Sequence, residues 1–254
     1  MPGQCEFSEF TYGYVFTEER MQAAPIRVAP LFPTLRREKQ AGYDVDIAGF
    51  GFVQFKRPET LIGSRAKERQ HKLTPTIFRM HLTNHQHYQL LQLAKVQHRL
   101  RGARVFYACP AFSTIGKLNE YYRMRTILQA SLFVEATSIG PLSPQHHHLS
   151  YDERSLKRGQ ALLFSDDPTP VPTTPEGSFN DWISEVSRRA PMTPEELSMV
   201  AQVVREVAVG ADDVPGISPG RGLSEATKIE ADVVSIARAA RHAFDAHTLI
   251  IESR

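Results

Sequence analysis

Alternating apolar and polar side chains predict a β-hairpin early in the chain. Its arms cover residues 43–47 and 52–56, and a turn containing glycine joins them. Successive side chains of a strand point to opposite faces, so Gln54 and Lys56 share one face of the second arm. The aliphatic and aromatic side chains of that arm then face the core. Asp44 on the first arm can lie beside the amide and the ammonium group.

The rest of the first 160 residues alternates between helical and extended patterns. The predicted elements are, in order, a helix beginning at Thr17, the hairpin, a helix over 77–100, a strand over 104–109, a helix over 115–129, a strand over 131–135 and a strand at a sheet edge over 146–151. Residues 5–16 are aromatic and are expected to be irregular. The alternation of helices and strands predicts an α/β fold.

The last third of the chain has a different composition. Residues 165–177 are rich in proline and predict a linker, which separates a domain over 1–164 from an acidic helical region over 178–254. Within that region, Thr193-Pro194-Glu195-Glu196 has the pattern of a capping box with proline at the first helical position. These C-terminal helices are expected to bury one face on each other, on the first domain or on a partner.

Charge is distributed unevenly, although the formal net charge is only +2. Residues 1–160 hold 22 basic and 13 acidic side chains, and the segment 54–125 holds 14 and 3. A basic block of this kind is typical of a surface that binds a polyanion. A solvated face whose charge is balanced by the acidic C-terminal region is the alternative interpretation. The basic side chains nearest the hairpin, which are the expected phosphate contacts, are Arg36, Arg37, Arg57, Arg65 and Lys67.

Composition also limits the class of protein. The two cysteines, Cys5 and Cys109, form no metal-binding pattern, and a reducing cytoplasm is the expected location. We expect no membrane association, because no leader opens the sequence and no apolar run approaches the length of a membrane span.

The polar end of the hairpin has the residue types needed for metal-assisted phosphodiester hydrolysis. Asp44 supplies the oxygen ligand that a hard divalent cation prefers. Lys56 can orient or help to deprotonate the attacking water and can stabilise charge that develops on the phosphate. An ordinary surface hairpin with polar side chains fits the same spacing.

Gly42-Tyr43-Asp44 followed by Val53-Gln54-Phe55-Lys56-Arg57 resembles the PD-(D/E)xK nuclease superfamily, in its Mrr-like branch, over roughly the first 150 residues. The resemblance implies a restriction endonuclease-like mixed sheet flanked by helices, if an early aromatic segment or part of 26–32 supplies one further strand. The helical C-terminal region would be an appendage to it. The catalytic residues that the resemblance implies are Asp44, Gln54, Lys56 and a helical acid, Glu19 or Glu18. Asp44, Glu19, Gln54 and the carbonyl group of Phe55 would be the metal ligands.

The expected function is therefore an endonuclease that depends on Mg²⁺ or Mn²⁺ and acts on DNA. The resemblance implies a role in bacterial restriction or antiviral defence against phage. Gln54 is neutral where the family commonly has a second acid, so an inactive nuclease-like fold that binds nucleic acid or a protein is the alternative. A toxin or effector whose C-terminal helices dock on a regulator, or self-associate, is a further possibility.

Overall fold

A computed structural model describes residues 3–23, 52–61, 67–71, 73–74, 76–84, 86–88, 90–91, 94, 104–143, 147–165 and 167–188. The fold is α/β, with a mixed and an antiparallel sheet flanked by helices. Most of the described residues belong to one compact unit, which comprises Met1–Ile26, Phe55–His87 and Phe106–Ile183. Asp44, Arg36, Arg37, Arg65 and the predicted capping box at 193–196 lie outside the described residues.

The described helices and strands follow one another in a fixed order. They are α1 (Glu9–Ala23), β1 (Phe52–Phe55), β2 (Glu59–Leu61), a 3₁₀ helix (Lys67–His71), β3 (Ile77–Leu82), β4 (Val105–Pro110), α2 (Ile115–Met124), β5 (Ser131–Glu135), α3 (Ala136–Ile139), β6 (His147–Tyr151), α4 (Glu153–Arg158), β7 (Gln160–Phe164), β8 (Thr169–Pro172) and α5 (Glu176–Arg188). The described residues between 84 and 94 are helical as well.

The strands form two sheets. One sheet has the order β1-β4-β5, and the other has the order β2-β3-β6-β7-β8. All neighbours in the five-stranded sheet are antiparallel, as are β4 and β5 in the smaller sheet. The strands predicted over 104–109 and 131–135 are confirmed as β4 and β5. The strand predicted over 146–151 is confirmed as β6, but it lies inside its sheet rather than at an edge.

The first helix begins at Glu9, eight residues earlier than Thr17, so the prediction that 5–16 are irregular is wrong from Glu9 onward. The Ser8 hydroxyl oxygen accepts a hydrogen bond from the Thr11 N–H, which is the geometry of an N-cap. Tyr12 and Phe16 are fully buried and lie one turn apart. Burial of these aromatic rings on one helical face explains why the segment is ordered as a helix.

The helix predicted over 77–100 is wrong for its first six residues, which form β3. Phe78, Met80 and Leu82 are buried, while Arg79 and His81 between them are more exposed. This is the period of two that belongs to a strand. The strand is paired on both sides, with β2 and with β6, and that pairing satisfies its backbone groups.

Two further boundaries differ from the prediction. The helix predicted over 115–129 ends at Met124, because Arg125 adopts a left-handed conformation and closes it. The proline-rich stretch 165–177 is not a linker throughout, since it contains β8, an edge strand that tolerates proline. The helix that follows it begins at Glu176 rather than at Ser178.

None of the described helices is both long enough and apolar enough to cross a membrane.

Candidate active site

Lys56 is the predicted catalytic residue for which the structure gives the most complete geometry. It follows the last residue of β1, and its backbone N–H still donates to the Ala108 carbonyl oxygen at 3.0 Å. Its Nζ donates to the side-chain oxygen of Gln86 at 2.5 Å. The amine is therefore partly buried and fixed at both the backbone and the tip of the side chain.

Phe55 and Lys56 point in opposite directions, as the alternation along the strand predicts. The Phe55 ring packs edge-on against Tyr12 and Phe16 of α1, with ring centroids 5.5 and 5.1 Å apart. A Cβ at Gly13 would lie 3.1 Å from the Phe55 ring, so the absence of a side chain there permits this close approach. Lys56 consequently points away from α1.

The two acids proposed on α1 have other partners. Glu19 accepts hydrogen bonds from the backbone N–H groups of Ile127 and Leu128, at 2.8 and 3.1 Å. Burial raises the pKa of Glu19, and these two N–H groups oppose the rise. Glu18 accepts from Gln22 at 3.1 Å and from the Tyr122 hydroxyl at 2.6 Å.

A different acid lies at the end of β1. The Glu9 Oε1 accepts from the backbone N–H of Arg57 at 3.3 Å. Glu9 and Glu19 are ten residues apart on one helix, which corresponds to a rise of about 15 Å. The structure therefore brings Glu9, and neither Glu18 nor Glu19, to the strand end that carries Lys56. No sequence signal distinguished Glu9, because residues 5–16 were expected to be irregular.

Gln54 is buried, with 2% of its surface exposed. Among the residues that the structure describes, no group of three or more His, Cys, Asp and Glu side chains is arranged to hold a metal ion. Asp44, the acid on which the sequence-based metal site depends, is outside this part of the chain.

A buried histidine lies next to Gln86 in the sequence. His87 Nε2 donates to the Gly140 carbonyl oxygen at 2.7 Å, and Nδ1 lies 3.0 Å from the Tyr107 hydroxyl. Burial lowers the pKa of His87, so the ring is neutral near pH 7 and Nδ1 accepts from Tyr107. Sequence reasoning missed Gln86, because no local pattern connects it to Lys56.

Arg57 and Lys67, two of the expected phosphate contacts, are both exposed. Arg57 lines an open groove of about 510 Å³ together with Cys5, Glu59 and His81. Lys67 is exposed at the start of the 3₁₀ helix.

Charged side chains form a connected network on one face of the five-stranded sheet. Arg79 pairs with Glu68 and lies 3.7 Å from Glu59, which also contacts His81 at 2.9 Å. His148 contacts Glu68 at 3.1 Å. Burial alone would raise the pKa of Glu68, but its own backbone N–H and Arg79 outweigh burial and lower it. The carboxylate is therefore ionised, and the network holds strands β2 and β3 to the 3₁₀ helix.

Comparison with known proteins identified no relative: no family model, no curated protein and no solved structure matches the chain.

Proposed function

We propose that this chain is a divalent-metal-dependent nuclease that hydrolyses phosphodiester bonds in DNA, with Lys56 at the centre of its active site. The observation that carries the proposal is the fixation of Lys56 at the end of a core strand. Its N–H is bonded to Ala108 and its Nζ to Gln86. Ordinary surface lysines are mobile, whereas a catalytic amine must be held in one direction.

The chemistry proposed for Lys56 is electrostatic and acid–base. A fixed ammonium group stabilises negative charge that develops on the phosphate in the transition state. The same group can orient the attacking water through one of its three N–H donors. Gln54 lies two residues earlier on the same strand and, by the alternation, on the same face. The sequence motif, the α/β fold and the position of α1 beside Phe55 agree with a restriction endonuclease-like fold.

The donors available for a metal ion are oxygen atoms, which suit Mg²⁺ or Mn²⁺. We propose that Asp44, the side-chain oxygen of Gln54 and the carbonyl group of Phe55 hold the ion. Glu9 is a better candidate than Glu18 or Glu19 for the helical acid, because it reaches the N–H of Arg57. The bound ion would supply Lewis-acid activation of the phosphate and of water.

Nucleic acid as the partner is supported by charge. The basic segment 54–125 contributes exposed side chains in the described part of the chain, among them Arg57, Lys67, Lys117, Arg123 and Arg125. Arg36, Arg37 and Arg65 are further proposed contacts. If these residues contact phosphates, the logarithm of the DNA affinity falls linearly with the logarithm of the salt concentration. An affinity that does not change with salt would remove the basic block from the interface.

The alternative function is a nuclease-like fold that binds nucleic acid or a protein without cleaving. It is favoured by the neutral Gln54, which lowers the negative charge available to a cation. In this alternative the C-terminal residues 178–254 would supply a docking or self-association surface. Deletion of residues 189–254, which leaves Phe179 of the aromatic core in place, should then change solubility or partner binding.

Cleavage of supercoiled plasmid DNA with Mg²⁺ or Mn²⁺ tests the proposal. Lys56→Ala should reduce cleavage by about 10²-fold or more, since it removes a preorganised charge. Asp44→Ala should reduce it as strongly. Lys157→Ala is the matched control, because Lys157 is an exposed lysine on α4 that lies outside the basic segment 54–125. Each variant is compared with wild type by circular dichroism to show that the fold persists.

The outcomes separate the two functions. Metal-dependent cleavage by wild type and Lys157→Ala, lost in Lys56→Ala, supports the nuclease. Full cleavage by Lys56→Ala would refute the proposed role of Lys56. Salt-sensitive DNA binding without cleavage by wild type in either metal would favour the binding fold.

A further inference from the structure

We propose that Gln86 is a positioning residue for Lys56, in that its carboxamide oxygen fixes the direction of the lysine amine. This inference rests on the proposed function, because it assigns a role in the same site. The contact joins Nζ of Lys56 to Oε1 of Gln86 across 30 positions of the sequence. Gln86 is 8% exposed, so its side chain is held in place by packing.

Lys56 and His87, the residue after Gln86, are bonded to neighbouring residues of strand β4. The Lys56 backbone N–H donates to Ala108 at 3.0 Å. The residue after Gln86, His87, accepts from the Tyr107 hydroxyl at 3.0 Å and stacks on that ring at an interplanar angle of 22°. Consecutive residues of one strand therefore determine where the lysine and the glutamine meet.

Three further hydrogen bonds fix the turn that carries Gln86. The His87 backbone N–H donates to Thr83 at 2.8 Å, which closes the first helical turn. The Asn84 side chain donates to the Ser143 carbonyl oxygen at 2.7 Å, and His87 donates to Gly140 at 2.7 Å. The turn is thus tied to the segment 140–143 as well as to β4. Such surrounding contacts are what a precisely directed side chain requires.

The choice of an amide has a chemical consequence. A carboxylate at this position would form an ion pair with Lys56 and would strongly favour its protonated form. A carboxamide oxygen accepts the same hydrogen bond without a full negative charge. Gln86 can therefore direct the amine without itself neutralising the positive charge.

Chemical labelling of Lys56 tests this role without requiring any cleavage. The full chain is treated with an amine-reactive reagent at several pH values, and modification of Lys56 is followed by mass spectrometry. Gln86→Met keeps the side-chain volume and removes the acceptor, so the labelling rate of Lys56 should rise several-fold. Gln86→Glu should slow labelling and move its pH midpoint upward. The control is Gln22→Ala, which removes an exposed amide bonded to Glu18.

The cleavage assay on the same variants separates the two proposals. Labelling that responds to both Gln86 substitutions but not to Gln22→Ala supports positioning, and Gln86→Met should then also lose cleavage. Unchanged labelling in both Gln86 variants overturns the inference, even where wild type cleaves DNA. If the Gln86 variants change the labelling of Lys56 but the wild-type protein cleaves no DNA, the proposed nuclease function is refuted. The positioning of Lys56 by Gln86 is then still supported. If Gln86→Met does not fold, the response of Gln86→Glu decides.

Discussion

The two faces of the three-stranded sheet are built in different ways. The face toward α1 and α5 consists of aromatic rings: Phe55, Phe106 and Phe133 from the three strands meet Phe16 and Phe179, and Phe133 stacks on Phe179 with centroids 4.0 Å apart. The opposite face presents polar groups from adjacent strands. There Lys56 bonds to Gln86, and Tyr107 bonds to His87.

The difference shows which side chains can be replaced by others of similar volume and which need a specific partner. Apolar packing is non-directional, so an aromatic core can be formed by many sequences with similar volume and pattern. Buried polar groups need specific partners, because an unsatisfied donor or acceptor costs free energy. The aromatic face therefore stabilises the fold, while the polar face fixes particular atoms. The following predictions test this division.

The largest expected effect is on the aromatic face. Phe16→Ala should lower the free energy of unfolding by about 3–5 kcal/mol, because Phe16 is fully buried and a cavity would remain among several rings. Phe10→Ala is the control on the same helix, since 43% of Phe10 is exposed. Urea denaturation, with midpoints compared at constant m-value, measures both. Equal losses in the two variants would contradict the assignment of this face as the core.

A smaller loss is expected on the polar face. Tyr107→Phe removes the hydroxyl that donates to His87 and leaves Nδ1 buried without that donor. The free energy of unfolding should fall by about 1–3 kcal/mol. Tyr122→Phe removes a hydroxyl bonded to Glu18 at the surface, and its unfolding should match wild type. Thermal and urea denaturation check both variants, and a neutral Tyr107→Phe would show that the bond to His87 contributes little.

The smallest expected effect concerns pH. Burial and the nearby His147 lower the pKa of His87, so the unfolded chain binds a proton more readily than the folded chain. Stability should then decrease as pH falls below the ordinary histidine value of about 6.5. Burial also lowers the pKa of His148, which adds a dependence of the same sign.

One variant isolates the contribution of His87. In His87→Gln the decrease in stability between about pH 7 and pH 5 should be shallower than in wild type, because a group whose pKa is lowered by folding is removed. Identical slopes in His87→Gln and wild type would show that the pKa of His87 does not differ between the folded and the unfolded chain, which would contradict this prediction.

The fold could be predicted where a local pattern allowed only one interpretation. The strands β4 and β5 are largely apolar runs, and Pro110 is the last residue of the first of them. Residues 77–82 were assigned to a helix because Ile77 and Met80 are three positions apart, which is a helical spacing. The alternation from Phe78 to Leu82 fits a strand equally well. Pairing with β2 and β6 makes this segment a strand, and such pairing is a long-range interaction that the local pattern does not show.

The candidate site, like the fold, could be predicted from the sequence only in part. Alternation along β1 predicted that Lys56 would point away from the core ring of Phe55, and their contacts agree. The helical acid could not be chosen from the sequence, because the register of α1 against β1 depends on how Phe55 fits over Gly13. That register brings Glu9 to Arg57, while Glu19 bonds to the backbone at 127–128.

The sequence by itself determined the alternating strand at 52–55, the apolar strands and the basic character of the first 160 residues, because these properties depend on neighbouring positions or on composition. Only the tertiary structure decided that Lys56 bonds to Gln86, and that His87, the next residue, bonds to Tyr107. These residues come from three separate segments, and hydrogen bonds between their side chains leave no periodic signal. The partners of Lys56 and His87 could therefore be identified only from the three-dimensional structure.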